Sequence, residues 1–154
     1  MRPIRVYADT SVFGGVFDPE FEKASRMFFQ RVHIGVFTIV VSAVVRDELR
    51  EAPTLVRSLW EETIPLSEFQ ESTEEAVALQ QAYLKAGILT PSSERDALHV
   101  ALASVARCSM IVSWNFNHIV NYRKIPRYNA VNSLEGYAPI QIYSPLEVVR
   151  DEED

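Results

Sequence analysis

The sequence is poor in the residues that build disulfides and zinc sites. Its 154 residues include one cysteine, Cys108, so no internal disulfide can form, as is usual in the reducing cytoplasm. No spacing of cysteine and histidine resembles a zinc site. No apolar run is long enough to span a bilayer, and the first residues lack the apolar region of a signal peptide. We therefore expect a cytoplasmic protein without a membrane partner.

Positive charge is also scarce. The 15 lysine and arginine residues are outnumbered by 21 aspartate and glutamate residues, so the formal net charge is −6. This charge argues against a generally basic surface for nucleic acid. Four of the acids form the tail at residues 151–154, which we expect to be solvated. Residues 97–134 contain no acid but include four basic residues, Arg107, Arg123, Lys124 and Arg127. These residues form either a local positive face or an ordinary solvated loop.

The chain shows no repeat, linker or low-complexity segment, and its length predicts one domain over residues 1–150. Apolar, β-branched runs alternate with helical spacing of apolar residues. The predicted strands are residues 4–8, 36–41, 110–113 and 140–143, with an extended piece at 64–66. The predicted helices are residues 19–34, 43–52, 54–62, 72–86 and 94–107, with a short helix at 116–122 and irregular structure at 123–139. This alternation predicts a three-layer α/β fold with a mainly parallel central sheet.

Polar side chains stand where two of the predicted strands end. Asp9 follows the first strand, and Asn115 follows the strand at residues 110–113. Ligands bind outside the carboxyl ends of parallel strands, so we expect one shared site, which the helix-borne acids Glu48 and Asp96 can join. Three carboxylates in one crevice repel one another unless a cation or protons compensate. Mg²⁺ takes one or two carboxylates and keeps several waters, so the sequence predicts a site for a hard divalent cation.

Each of these residues also has a purely structural interpretation. The alternatives are a polar turn at Asp9, a solvated helix face at Glu48, a capping box at Asp96 and a helix cap at Asn115. No single residue decides between the two interpretations. Their order along the chain and their positions at strand ends favour a shared site.

The order of these motifs resembles that of a PIN domain over about residues 4–142. The segments that carry the resemblance are Asp-Thr-Ser at 9–11, Glu-Leu at 48–49, Asp-Ala-Leu-His-Val-Ala at 96–101 and Ile-Val-Ser-Trp-Asn-Phe-Asn-His at 111–118. PIN domains are metal-dependent ribonucleases, and many bacterial members are VapC-type toxins of toxin–antitoxin pairs. The resemblance implies an endoribonuclease that uses Mg²⁺ or Mn²⁺ to hydrolyse RNA. It also implies an antitoxin partner, if the chain is a toxin, and a homodimer.

The resemblance assigns roles to single residues. It makes Asp9 and Asp96 the principal metal ligands, and Glu48 either completes the ligand shell or positions the attacking water. Ser11, or Thr10 beside it, and Asn115 would support the waters of the metal. Asn115 stands where a complete family set has an aspartate, and this weakens a second metal site. The RNA contacts would come from Arg123, Lys124 and Arg127 on phosphates, and from Tyr122 and Tyr128 on bases unless these tyrosines pack.

Two other functions fit parts of the same pattern. Asn115 in place of an acid favours a PIN-fold module that binds RNA or a protein with weak or no cleavage. Asp9 at a strand end also suits a phosphohydrolase with an aspartate nucleophile, but Ser11 stands where such enzymes carry a second aspartate. Separately, the aromatic residues of two helices exceed what one sheet face needs, and this favours a homodimer through Phe28, Phe29 and Trp60.

Overall fold

A parallel β-sheet lies at the centre of the fold. The structure is a computed structural model that describes residues 2–150, so the acidic tail at 151–154 lies outside the described residues. The strands are β1 (Ile4–Ala8), β2 (Phe37–Ser42), β3 (Glu68–Gln70), β4 (Met110–Val112) and β5 (Gln141–Tyr143). They lie in the order β3-β2-β1-β4-β5, and every neighbouring pair is parallel. The predicted α/β fold with a parallel sheet is confirmed.

The strand β1 lies where the strand order reverses. After β1 the chain builds β2 and β3 on one side, and then β4 and β5 on the other. Such a reversal leaves a crevice outside the carboxyl ends of the two strands that flank it. The register pairs Ala8 with Val112, the residues directly before Asp9 and Ser113. The topology therefore brings Asp9 and Ser113 side by side at this crevice.

Helices cover both faces of the sheet. They are α1 (Thr10–Gly15), α2 (Glu22–His33), α3 (Ala43–Glu48), α4 (Thr54–Thr63), α5 (Glu74–Lys85), α6 (Glu94–Val105), α7 (Ile125–Leu134) and α8 (Pro145–Val148). Phe28 of α2 stacks on Phe37 of β2, whereas His99 of α6 contacts Tyr7 of β1. The register pairs Tyr7 with Val40, three residues from Phe37, so α2 and α6 lie on opposite faces. Among the described residues, no helix has the length and apolar character needed to cross a membrane.

An aromatic cluster fills the core between α1, α2 and α4. The ring of Phe13 lies 5.2 Å from that of Phe29 and 5.6 Å from that of Trp60, between centroids. Phe28 is fully buried, and Trp60 is only 9% exposed. These aromatic residues therefore serve the chain's own core, and the argument for a homodimer from an aromatic excess is wrong. The homodimer itself stays a prediction from the family resemblance.

Several boundaries differ from the predicted ones. The helix α1 was not predicted. It begins directly after β1 because Asp9 is its N-cap. Residues 64–66 form a turn of 3₁₀ helix, and the strand β3 follows two residues later. The helix α2 begins at Glu22 rather than residue 19, and α3 ends at Glu48 rather than residue 52. Glu48 is therefore the last residue of a short helix.

The largest error of prediction concerns residues 116–139. Residues 116–122 form turns instead of a short helix, and α7 replaces the expected irregular structure. The helical spacing of α7 is hard to read because its buried face includes the polar Asn132. Tyr83 donates a hydrogen bond to Asn132 Oδ1, and the Asn132 amide donates to Ser104 Oγ at 3.0 Å. A satisfied polar side chain thus packs where a pattern search expects an apolar one.

Gly15 lets α1 approach the loop that follows β4. A Cβ atom at Gly15 would lie 2.6 Å from Ser25 Oγ and 2.7 Å from Trp114 Nε1, closer than nonbonded atoms come. Trp114 Nε1 in turn donates to Ser25 Oγ at 2.9 Å. These contacts hold α1, α2 and the loop together, so the loop that carries Asn115 has a defined position beside Asp9.

Candidate functional site

Asp9 joins the carboxyl ends of the two central strands. Its Oδ1 accepts from the Ser11 backbone N–H at 3.1 Å and from Ser11 Oγ at 2.6 Å. Its Oδ2 accepts from Ser113 Oγ at 2.5 Å. The carboxylate is buried, at 4% exposed. Asp9 is thus both the N-cap of α1, as the polar-turn interpretation predicted, and the buried acid of the crevice.

The two serines are oriented by the loop after β4. Ser11 Oγ accepts from the Trp114 backbone N–H at 2.8 Å, and Ser113 Oγ accepts from the Asn115 backbone N–H at 2.9 Å. Each hydroxyl hydrogen is then directed to Asp9. Ser11 was predicted as a site residue, and Ser113 was not. The signal for Ser113 was its place as the small polar residue directly after a buried strand.

The pKa of Asp9 is raised above its ordinary value. Burial is the main cause, because it disfavours the ionised form. The charge of His99 and the hydrogen bonds from Ser11 and Ser113 act in the opposite direction and do not outweigh burial, while the charge of Asp96 adds to the increase. Asp9 is therefore a carboxylate whose negative charge is poorly compensated by the groups around it.

Asp96 lies at the same edge of the sheet. It belongs to the first turn of α6, which leads into the parallel strand β4 and therefore begins at the carboxyl edge of the sheet. Its side chain is half-buried, and its charge raises the pKa of Asp9. Asp9 and Asp96 therefore lie at the same edge of the sheet, and their charges interact.

Glu48 reaches the same edge but takes different partners. Its Oε1 accepts from Thr10 Oγ1 at 2.9 Å and lies 2.6 Å from His99 Nε2. Burial acts to raise the pKa of Glu48, but the hydrogen bond and charge of His99, with Thr10, outweigh it and lower the pKa. Crowded carboxylates without a cation have raised pKa values, whereas the pKa of Glu48 is lowered. His99 supplies the compensation that sequence reasoning had assigned to a cation.

His99 connects Glu48 to the interior of the protein. It is 2% exposed, and its Nδ1 lies 2.8 Å from the Tyr7 hydroxyl. The Tyr7 hydroxyl lies 2.8 Å from Ser42 Oγ, at the end of β2. Sequence reasoning missed His99 as a site residue. The available signal was its position three residues after Asp96, which places both side chains on one face of α6.

Asn115 caps the turn that follows β4. Its side-chain Oδ1 accepts from the His118 backbone N–H at 2.9 Å, and its side chain is half-buried. The amide oxygen that was predicted to support the waters of a metal thus already has one hydrogen-bond donor. The helix that Asn115 was expected to cap in the structural interpretation is absent from the described residues, and Asn115 caps a turn instead.

The acids at this edge are not arranged as the predicted shell of three carboxylate ligands. Within residues 2–150, no group of three or more His, Cys, Asp or Glu side chains is placed to hold a metal ion together. Glu48 is turned to His99 and is not arranged as a third ligand. Asp9 and Asp96 remain as a pair of hard oxygen donors with interacting charges. Mg²⁺ and Mn²⁺ accept such a pair when water fills the remaining positions.

The basic residues after Asn115 divide into two groups. Lys124 Nζ donates to the Ile88 carbonyl oxygen and Arg127 Nη2 donates to the Ala86 carbonyl oxygen, both at 3.0 Å, at the end of α5. Arg123 is exposed, and its Cζ lies over the exposed ring of Tyr122, 5.6 Å from the ring centroid.

The two predicted base-stacking tyrosines also differ. Tyr128 is fully buried, its hydroxyl donates to the His118 carbonyl oxygen, and its ring packs edge-on against Tyr83. A stacking role for Tyr128 is therefore wrong, because its ring is a packing residue. Tyr122 remains available at the surface.

Comparison with known proteins supports the fold. No protein-family model matches the sequence, and no curated protein is significantly similar to it in sequence. Among solved structures, FitAcB from Neisseria gonorrhoeae matches with a TM-score of 0.59 at 13% identity, covering 92% of this chain and 98% of the other. FitAB bound to the IR36 DNA fragment matches with a TM-score of 0.60 at 13% identity, covering 96% and 98%. VapBC2 from Rickettsia felis, bound to a DNA fragment from their promoter, matches with a TM-score of 0.57 at 10% identity, covering 92% and 98%. At these identities the likeness shows the fold alone, and this chain shares nearly the whole of it.

Proposed function

We propose that the protein is a metal-dependent endoribonuclease that hydrolyses RNA phosphodiester bonds. The observation that carries the proposal is the buried Asp9 carboxylate, with a raised pKa and the charge of Asp96 beside it, at the reversal point of a parallel sheet. Asp9 and Asp96 would hold Mg²⁺ or Mn²⁺. When bound, the ion supplies stabilisation of the negative charge that develops on the phosphodiester. Ser11 and Ser113 hold the Asp9 carboxylate in place.

Glu48 is the residue that would orient the attacking water. Its side chain is 25% exposed, so the carboxylate reaches the crevice while Oε1 is held from inside. Its lowered pKa keeps it ionised and makes it a weak proton acceptor. We therefore assign it to accepting a hydrogen bond from the water rather than to removing its proton. At the surface, Arg123 and Tyr122 would contact an RNA phosphate and base.

Cleavage of a labelled single-stranded RNA tests this function. We expect cleavage with Mg²⁺ or Mn²⁺ and none with EDTA. Asp9→Asn and Asp96→Asn should each reduce the rate by about 100-fold or more, the scale of a lost catalytic group. Asp18→Asn makes the same change on an exposed acid outside the site and should leave the rate unchanged. Undiminished cleavage by Asp9→Asn, or in EDTA, would overturn the proposal.

We also propose that the protein is the toxin of a toxin–antitoxin pair. The resemblance to VapC-type PIN domains suggests this role, and the fold shared with FitAB and VapBC2 structures supports it. An apolar groove of about 610 Å³ between α2, the loop after β4 and α8 offers a surface for a protein partner. Phe116 is 48% exposed on this groove, and Leu146 is also exposed. Exposed apolar surface of this kind is typical of interaction sites.

Co-purification tests the partner. A small protein encoded beside this one should bind it and inhibit cleavage. Phe116→Asp and Leu146→Asp should weaken that complex, whereas Leu134→Asp, on an exposed leucine away from the groove, should not. Equal binding by all three variants would exclude the groove as the docking surface.

The second candidate function is a PIN-fold module that binds RNA or protein without cleaving it. It is favoured by Asn115, whose amide contributes no charge and whose oxygen caps a turn. RNA binding by wild type with no cleavage in any divalent metal would support this alternative over the nuclease.

A further inference from the structure

A buried row of hydrogen-bonding side chains ends at Glu48. It runs from Ser42 Oγ to the Tyr7 hydroxyl at 2.8 Å, from Tyr7 to His99 Nδ1 at 2.8 Å, and from His99 Nε2 to Glu48 Oε1 at 2.6 Å. Ser42, Tyr7 and His99 are all buried, and Glu48 alone reaches solvent. We propose that His99 is a positioning residue, which holds the Glu48 carboxylate toward the attacking water without touching substrate. This inference rests on the proposed nuclease function.

The row ties together both ends of α3. Ser42 is the N-cap of this helix, and its Oγ also accepts from the Val45 backbone N–H at 3.3 Å. Glu48 is the last residue of the same helix. The hydrogen bonds that connect Ser42 to Glu48 pass through Tyr7 of β1 and His99 of α6. The position of Glu48 therefore depends on both of these elements. A glutamate on a helix of six residues would otherwise sample several rotamers in solvent.

When Glu48 is ionised, hydrogen counting makes His99 the donor to Glu48. In one arrangement, Ser42 donates to Tyr7, Tyr7 donates to His99 Nδ1, and the neutral imidazole carries its hydrogen on Nε2. In the other, His99 Nδ1–H donates to Tyr7, and Tyr7 donates to Ser42. The ionised Glu48 then still needs a hydrogen on Nε2, so the ring is imidazolium. Both arrangements, inferred from the partners, place an N–H on Oε1 and leave Oε2 for water.

His99 also has neighbours on other elements. A positive charge on its ring would act on Asp9. Glu48 interacts with Arg95 of α6 and Thr10 of α1 as well as with His99. A change at His99 could therefore act through Asp9 rather than through Glu48. The experiment must separate these two routes, and the affinity for Mn²⁺ does so because Asp9, and not Glu48, is the proposed ligand.

Four variants test the proposal: His99→Leu, His99→Gln, Glu48→Gln and the double variant His99→Leu/Glu48→Gln. His99→Leu removes the donor, and His99→Gln retains an N–H directed to Glu48. We expect His99→Leu to lower kcat on labelled RNA about tenfold or more, with KM and the Kd for Mn²⁺ changed less than about threefold. His99→Gln should recover most of the lost kcat. The double variant should be no slower than Glu48→Gln alone, because His99 acts through Glu48.

A readout without metal or substrate complements the kinetics. In the metal-free protein the His99 Nε2 proton should be visible by NMR as a slowly exchanging, downfield signal, and Glu48→Gln should shift it upfield. Tyr7→Phe keeps the buried ring, so it serves if His99→Leu does not fold. It should move the same signal and lower kcat with little change in KM.

Different outcomes overturn different claims. No metal-dependent cleavage by wild type would overturn the nuclease and this inference with it. An active wild type with His99→Leu at full kcat would overturn the inference alone. The positioning role of His99 is also overturned if Mn²⁺ affinity falls in parallel with kcat, or if the losses of the two single variants add in the double variant.

Discussion

Replacing Asp9 by asparagine tests the central feature of the site, a buried acid with a raised pKa. Burial opposes ionisation of Asp9 and outweighs the charge of His99 and the hydrogen bonds from Ser11 and Ser113. A carboxyl group whose pKa is higher in the folded than in the unfolded protein costs stability while it is ionised. This cost is fully present above the folded pKa. It disappears as the pH falls through the folded pKa towards the unfolded one.

We expect Asp9→Asn to be more stable than wild type at neutral pH by about 0.5–2 kcal/mol, the usual range of stabilising substitutions. The new side chain has nearly the same shape. Its Oδ1 can still accept from Ser11, and its amide can donate to Ser113 Oγ once that hydroxyl turns. In a chain of 154 residues, about 1 kcal/mol corresponds to roughly 2–4 °C in Tm.

Thermal unfolding in EDTA, followed by circular dichroism, measures this difference. The gain in Tm at neutral pH should shrink at about pH 3.5, where the wild-type carboxyl is mostly protonated in both states. Mn²⁺ should raise the Tm of wild type and have little effect on Asp9→Asn, since the variant lacks the carboxylate that is the proposed ligand. Asp18→Asn should match wild type throughout, because Asp18 is exposed. An Asp9→Asn protein less stable than wild type at neutral pH would refute the reasoning.

Three further predictions concern other parts of the site. Glu48→Gln should lower stability by about 1 kcal/mol at neutral pH in a urea titration, and the difference should vanish as the pH falls through the lowered folded pKa of Glu48. An equal difference at low pH would contradict this. Gly15→Ala should cost about 1–3 kcal/mol, since its Cβ would overlap two neighbouring side chains, whereas Gly14→Ala has open space and should gain about 0.5–1 kcal/mol. Calorimetric titration should show tighter Mn²⁺ binding by Asn115→Asp, because affinity rises with the charge of the ligands. An unchanged Kd would mean that Asn115 does not face the ion.

The fold and the edge at which the acids meet follow from local patterns in the sequence. β1 and β2 are almost continuously apolar because both faces are covered, and the polar Asp9 marks the end of β1. The alternation of strands with helices determines that neighbouring strands are parallel, which brings strand ends to one edge. The position of Asp9 at the crevice was therefore predictable from its neighbours in the chain.

The partners of the acids were not predictable in this way. Glu48 lies in a run of charged residues that indicates a solvated helix face, yet it pairs with a histidine 51 residues away. That histidine occurs in an apolar helix, where a core position is the simplest interpretation. Nothing near either residue in the sequence indicates the other. Such pairs depend on how two helices are placed over the sheet, which only the tertiary structure specifies.

The surroundings of Asp9 and Glu48 affect the negative charges of the two acids in opposite ways. Both acids lie at one edge of one sheet, but burial raises the pKa of Asp9 whereas His99 and Thr10 lower that of Glu48. Groups of one type whose pKa values are shifted apart by their surroundings usually divide the work of a reaction. A cation would stabilise Asp9 more than Glu48, because no partner of Asp9 supplies a compensating charge strong enough to offset its burial. Glu48 already has its compensation from within the protein, so it would stay ionised beside a cation without binding it.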